Sequence, residues 1–191
     1  MKKMAFVFGA LIMGFMMVSC GESTDQKTKK AADEFFTQAE KEVQAIDNAE
    51  DFFAFLEDLE ARKDQLAETL FSSYETDNEG NFLMPKEVND YVFNRATAYN
   101  NVEAAKAAEF ITPALDDLES TVNQLYDQYQ ATGDLELESV AAFDQAYGAM
   151  LPYFDYDNIL PELSDRYAVV VEKIEEMNDL LMKKLDIIYG E

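Results

Sequence analysis

The sequence predicts an all-α fold: an antiparallel bundle of five or six helices that follows a cleaved signal peptide. Three observations carry this. Beyond residue 30 the apolar side chains recur at steps of three and four, the spacing of one helix face. The punctuation between these runs is made of Asn, Gly, Pro and Thr, which stop or start helices. No alternating apolar and polar run bounded by hairpin signals occurs in the 191 residues, so nothing reads as a strand.

The first element is a leader. Lys2 and Lys3 make a short basic start, and Met4 to Val18 is an uncharged, mostly apolar run closed by Ser19 and Cys20. A positive start, an apolar stretch and small residues at a cleavage point describe a secretory signal. The run is shorter than the roughly 20 apolar residues a bilayer span needs. Cys20 is the single cysteine of the chain. Met17-Val18-Ser19-Cys20-Gly21 resembles the lipobox of bacterial lipoproteins, with Met17 where that pattern usually has Leu. The resemblance covers the leader alone. It implies cleavage before Cys20, diacylation of the Cys20 thiol and acylation of the new amino group, palmitate being a typical chain. Two or more acyl chains anchor stably, at about 0.8 kcal/mol per buried methylene, whereas one binds a bilayer marginally. Gly21 is not the Asp that signals inner-membrane retention in some Gram-negative bacteria, so the resemblance points to the outer membrane of the bacterial cell envelope. It leaves open a periplasmic or an outward-facing domain.

Residues 20–30 read as a lipidated, flexible, polar tether, near whose end Asp25 or Thr28 could cap the first helix. Residues 31–191 read as a single acidic domain. A first helix runs from about Lys29 to Asp47, with Phe36, Ala39, Val43 and Ile46 on one face and Asn48 as its stop. A second spans about Ala49 to Tyr74, with Phe52, Leu56, Leu59, Leu66 and Leu70. Residues 75–85 are the clearest loop, with Asn78, Gly80 and Asn81 as turn formers and Pro85 at the next helix start. A third helix, Pro85 to Ile111, carries Val88, Tyr91, Val92, Tyr99 and Val102. Thr112-Pro113 reads as a break. A fourth helix, Pro113 to Ala131, carries Leu115, Leu118, Val122, Leu125 and Tyr129, and Gly133 ends it. A shorter helix, Leu135 to Leu151, carries Val140, Phe143, Tyr147 and Met150. After an aromatic and acidic loop, Pro152 to Pro161, the last helix runs from about Leu160 to Tyr189. Its stripe is Leu160, Leu163, Tyr167, Val170, Ile174, Met177 and Leu181, extended by Leu185 and Ile188.

Charge and missing residue types exclude several functions. The formal charge is −24, and loss of Lys2 and Lys3 with the leader takes it to −26. That opposes nucleic acid, which needs clustered Lys and Arg. It also opposes docking on anionic lipid, and it favours cationic partners and divalent ions. The chain has no histidine. This removes Ser-His-Asp and Cys-His catalysis, histidine-ligated haem and the usual zinc and copper sites. With Cys20 acylated no thiol nucleophile remains, and no cofactor is implied.

Two stretches stand out as candidate sites. Glu75, Asp77, Glu79 and Asn81 place oxygen ligands at alternate positions around Gly80, as a calcium loop does. The pattern fails at its twelfth position, which is Lys86 where a bidentate Glu is needed. Tyr153, Phe154 and Tyr156 form an aromatic cluster suited to a partner-binding hot spot or to packing over one end of the bundle. Carboxylate pairs such as Asp116-Asp117 and Glu175-Glu176 are too frequent in so acidic a chain to signal acid-base catalysis, and no catalytic residue is assigned. The expectation is a non-enzymatic envelope lipoprotein, held to the bilayer through Cys20. Its bundle would bind another protein or support an assembly. A binder of Ca2+ or of a cationic ligand is the alternative, and a carboxylate-based enzyme is a third reading.

Overall fold

The computed structural model describes residues 22–79, 81–154 and 156–189, with side chains described through residue 179. The leader, Cys20 and Gly80, and the side chains of the stripe residues Leu181, Leu185 and Ile188, lie outside that description. Among the described residues every regular element is helical. Five α-helices follow one another: α1 (Thr24–Gln44), α2 (Ala49–Phe71), α3 (Lys86–Thr132), α4 (Leu137–Met150) and α5 (Pro161–Tyr189). A 3-10 turn, Leu151–Tyr153, continues α4. None of the described helices is long and apolar enough to cross a membrane.

The bundle has five helices because two expected ones are a single helix. The break expected at Thr112-Pro113 is absent, and α3 runs for 47 residues with Pro113 inside it. Proline in a helix interior costs about 3 kcal/mol. What outweighs it is a buried row that continues on both sides. Tyr99, Ala104, Ala107 and Ile111 precede the proline, and Leu115, Leu118, Val122 and Leu125 follow it, all at most 5% exposed. Each buried aliphatic side chain contributes about 1.5–3 kcal/mol, so ending the helix would forfeit more than the proline costs.

The expected tether is also corrected. Residues 24–30 are helix, because Ser23 caps α1 in a reciprocal box. Its Oγ accepts from the Gln26 N–H at 3.3 Å, while its own N–H donates to Gln26 Oε1 at 3.0 Å. Thr28 is 3% exposed. Neither Asp25 nor Thr28 caps the helix; the Tyr74 hydroxyl donates to Asp25 Oδ1 at 3.0 Å and shares a hydrogen bond with the Thr28 hydroxyl at 3.1 Å. Asn48 is likewise not a stop for α1 but the N-cap of α2, its Oδ1 accepting from the Asp51 N–H at 2.9 Å. Gly133 ends α3 as expected, at φ +69°.

The contacts of the chain cluster into two units, Met1–Thr37 with Ala61–Ala96, and Gln38–Glu60 with Thr97–Glu191. In the first, Tyr74 beyond the end of α2 meets the start of α1, while Arg62 lies over the ring of Phe35 further along it. The two segments therefore run antiparallel. The segments of α1 and α3 run parallel at a fixed offset: Lys29 pairs with Glu87, Asp33 with Tyr91 and Thr37 with Arg95, each 58 residues apart. Ala32, Phe35, Phe36, Leu66, Leu70 and Val88 are the buried apolar residues of this unit.

The second unit repeats the device with another offset. Asp116 pairs with Arg166, Asn123 with Lys173 and Tyr126 with Glu176, each 50 residues apart, so α3 and α5 run parallel there. Within each unit α3 thus lies beside a parallel neighbour, α1 in the first and α5 in the second.

Candidate functional site

The loop considered for calcium is a small hairpin. Thr76 and Phe82 form an antiparallel bridge, and the Leu83 N–H donates to the Glu75 carbonyl at 2.7 Å. Asp77 is the loop's internal clamp. Its Oδ1 accepts from the N–H groups of Glu79 and Asn81 at 2.8 and 2.9 Å, and its Oδ2 from the Asn81 amide at 3.0 Å. A carboxylate that holds its own turn in this way is an Asx motif. Glu75, Asp77, Glu79 and Asn81 are all exposed, and no group of three acidic side chains among the described residues is placed to share an ion. Beside the hairpin lies an open cleft of about 610 Å³. The Phe71 and Phe82 rings, stacked at 4.9 Å, belong to its lining. Its one cation, Lys86, pairs with Asp90.

The aromatic segment after α4 is built inward. Tyr153 is 5% exposed and its ring lies 5.4 Å from that of Phe53. Phe154 sits between Tyr147 and Tyr167, at 5.5 and 5.2 Å. Tyr156 meets Phe52 edge-on at 5.8 Å. These rings pack against the helices, with Phe154 and Tyr156 left half-buried. Asp155 lies outside the described residues.

The anchor of this segment is a residue that sequence reasoning did not single out. Glu103, on α3, is 5% exposed. Its Oε1 accepts from the Tyr156 hydroxyl at 3.0 Å and from the Asn158 amide at 3.4 Å; that amide also donates to the Asn100 carbonyl at 2.8 Å. Its Oε2 is buried without a hydrogen-bond partner among the described residues. Burial pushes the Tyr156 hydroxyl far above the ordinary tyrosine range, and the adjoining Glu103 carboxyl adds to the shift. The available signal was spacing. Glu103 is a lone acid four residues after Tyr99 and four before Ala107 on an apolar row.

The most exposed apolar surface in this unit belongs to α4. Only Ala146 and Met150 of that helix are buried. Val140 and Phe143, expected on the buried face, are half-buried, and Tyr147 is exposed. The opposite side presents Leu137, Ala141, Asp144, Gly148 and, in the turn that continues it, Leu151. These recur at four, three, four and three, so they form one stripe along the helix. Leu137 is 85% exposed and Leu151 50%. Ala141, Asp144 and Gly148 are exposed as well. A Cβ added at Gly148 would meet nothing within 4 Å. Asp144 has no ion-pair partner among the described residues.

Compared with protein-family models, curated proteins and solved structures, the chain matches none.

Proposed function

We propose that this chain is a lipid-anchored protein of the bacterial envelope, held at the outer membrane, whose helical bundle serves as a protein-interaction or structural module. The anchor rests on the sequence pattern that ends at Cys20. The interaction role rests on one observation: α4, whose only charged residues are Glu138 and Asp144, turns its regular Leu-Ala-Asp-Gly-Leu stripe to solvent. A chain of formal charge −24 has ample polar side chains with which to cover such a face. Large apolar side chains left exposed along one helix face, as Leu137 and Leu151 are, are a feature of contact sites.

Two experiments test this reading. Growth with labelled palmitate should label the wild-type chain and not Cys20→Ala, and the variant should leave the membrane fraction. In-cell crosslinking of the full chain, followed by affinity purification and mass spectrometry, should return one abundant and saturable partner. An unlabelled wild-type chain removes the anchor, and an empty crosslinking profile removes the interaction role.

A further inference from the structure

We propose that the solvent face of α4 is a docking seam for a basic amphipathic helix of another protein, with a Lys or Arg of that helix seated on Asp144. This deepens the interaction reading given above and rests on it.

Leu137 to Leu151 spans about 20 Å along a helix, the length over which two helices pack side by side. The end positions are large and apolar, and the positions inside them, Ala141 and Gly148, are small. Small residues between two leucines leave notches into which knobs of a neighbouring helix fit. Among the described residues nothing calls for a glycine at position 148. Its φ is not positive, and the space a Cβ would fill is empty. A helical glycine costs about 1 kcal/mol relative to alanine. A partner backbone approaching at this point accounts for that cost.

The centre of the stripe decides what the occupant is. Asp144 lies midway between Ala141 and Gly148, so a second copy of the chain packed on the same stripe, parallel or antiparallel, would set one Asp144 against another. Like charges facing each other at a packed contact cost several kcal/mol, and two chains of charge −24 repel before they meet. A bilayer would have to desolvate Asp144. A helix with apolar knobs for the notches and a cation opposite Asp144 satisfies every position of the stripe. Such single charged positions in an otherwise apolar seam set register and partner choice.

The test uses the full chain and a synthetic helical peptide of about three heptads. The peptide carries Leu at a and d, one Arg at the central a position and Gln elsewhere, and a second peptide has Glu in place of that Arg. Binding is read by fluorescence anisotropy. The Arg peptide should bind at least about tenfold more tightly than the Glu peptide, a difference of about 1.4 kcal/mol. Asp144→Arg should reverse that order. General attraction to so acidic a surface would not reverse it, because the chain remains strongly negative. Gly148→Leu should abolish binding of both peptides without lowering the melting temperature, since the site is open. The proposal is overturned if the Arg peptide keeps its advantage on Asp144→Arg, if Gly148→Leu leaves binding intact, or if neither peptide binds. A saturable cellular partner whose crosslinks map away from Leu137 to Leu151 also overturns this seam, while the interaction role itself would stand.

Discussion

The hydroxyl of Tyr156 donates to Oε1 of Glu103 at 3.0 Å, joining residues 53 positions apart in sequence. One carboxyl oxygen thereby holds the loop that leads into α5, with the Asn158 amide as a second donor. The ring of Tyr156 meets Phe52 of α2, which in turn lies 5.7 Å from Phe110 of α3. Glu103→Ala leaves a buried hydroxyl without its acceptor, which costs about 1–3 kcal/mol. Glu103→Gln retains an amide oxygen for Tyr156 and should lose clearly less. Urea midpoints of the two variants check the order. Equal losses would mean that the acceptor at Oε1 is not what holds the loop.

The same contact predicts alkaline sensitivity. Burial raises the Tyr156 hydroxyl above its unfolded value of about 10. A raised folded-state value contributes stability that is fully present below the unfolded value and is lost as pH climbs from there toward the folded one. Above about pH 10 each such group tilts the stability curve downward by about 1.4 kcal/mol per pH unit. Tyr156→Phe removes that share. Its stability, measured by urea from pH 9 upward, should fall less steeply than that of the wild type, and the two should run parallel at neutral pH. Identical slopes would show that Tyr156 ionises as freely in the folded chain as in the unfolded one.

Helix positions were legible in the sequence because the three-four spacing is a property of neighbouring residues. What it misplaced are the positions where tertiary packing outweighs a local signal. Thr112-Pro113 is a strong local stop, yet the burial of Ile111 and Leu115 on either side carries the helix through it. Thr28 reads as tether because residues 21–30 are polar, while its burial depends on Tyr74, 46 residues away. The Ser23-x-x-Gln26 box that starts α1 is a local signal that the surrounding polar residues mask. For α4 the helix was legible but its buried face was not, because its apolar residues are spread around it and only tertiary contacts choose among them.

Pro113 provides a direct measure of that competition. Pro113→Ala restores an N–H to the interior of α3 and removes the ring from the turn before it. Proline costs about 3 kcal/mol relative to alanine in a helix interior. Because the helix around it has already adapted, about 1–2 kcal/mol of that should be recovered as added stability. Thermal and urea unfolding of the variant check the gain. A loss would mean that the local geometry set by the proline is needed to place the Leu115 to Leu125 row.

Arg166 tests the ladder between α3 and α5. Its Nη2 reaches Asp116 at 2.6 Å and Glu119 at 2.7 Å, and the two carboxylates raise the guanidinium's affinity for its proton. The side chain is 35% exposed, so solvent screens both pairs. Exposed pairs contribute about 0.2–1 kcal/mol each. Arg166→Ala should therefore lose about 1 kcal/mol in low salt, and most of that difference should vanish near 1 M salt, where the screening length is about 3 Å. A salt-independent loss would point instead to packing of the arginine stem.

Two glycines, alike in sequence, should respond in opposite directions to the same substitution. Gly133 closes α3 at φ +69°, and its N–H donates to the Tyr129 carbonyl at 2.8 Å. An alanine there must adopt a left-handed backbone, at about 1–2 kcal/mol. Gly148 lies inside α4 with an ordinary helical backbone and open space where a Cβ would stand. An alanine there relieves the entropic cost of glycine and should stabilise by about 0.5–1 kcal/mol. Nothing lies within 4 Å of a Cβ at Gly148, so the double variant should fall near the sum of the two. Urea midpoints of both single variants and the double variant complete the test. A loss of stability at Gly148→Ala would place a neighbouring group over the stripe in the isolated chain, and the α4 seam would then be closed rather than open to a partner.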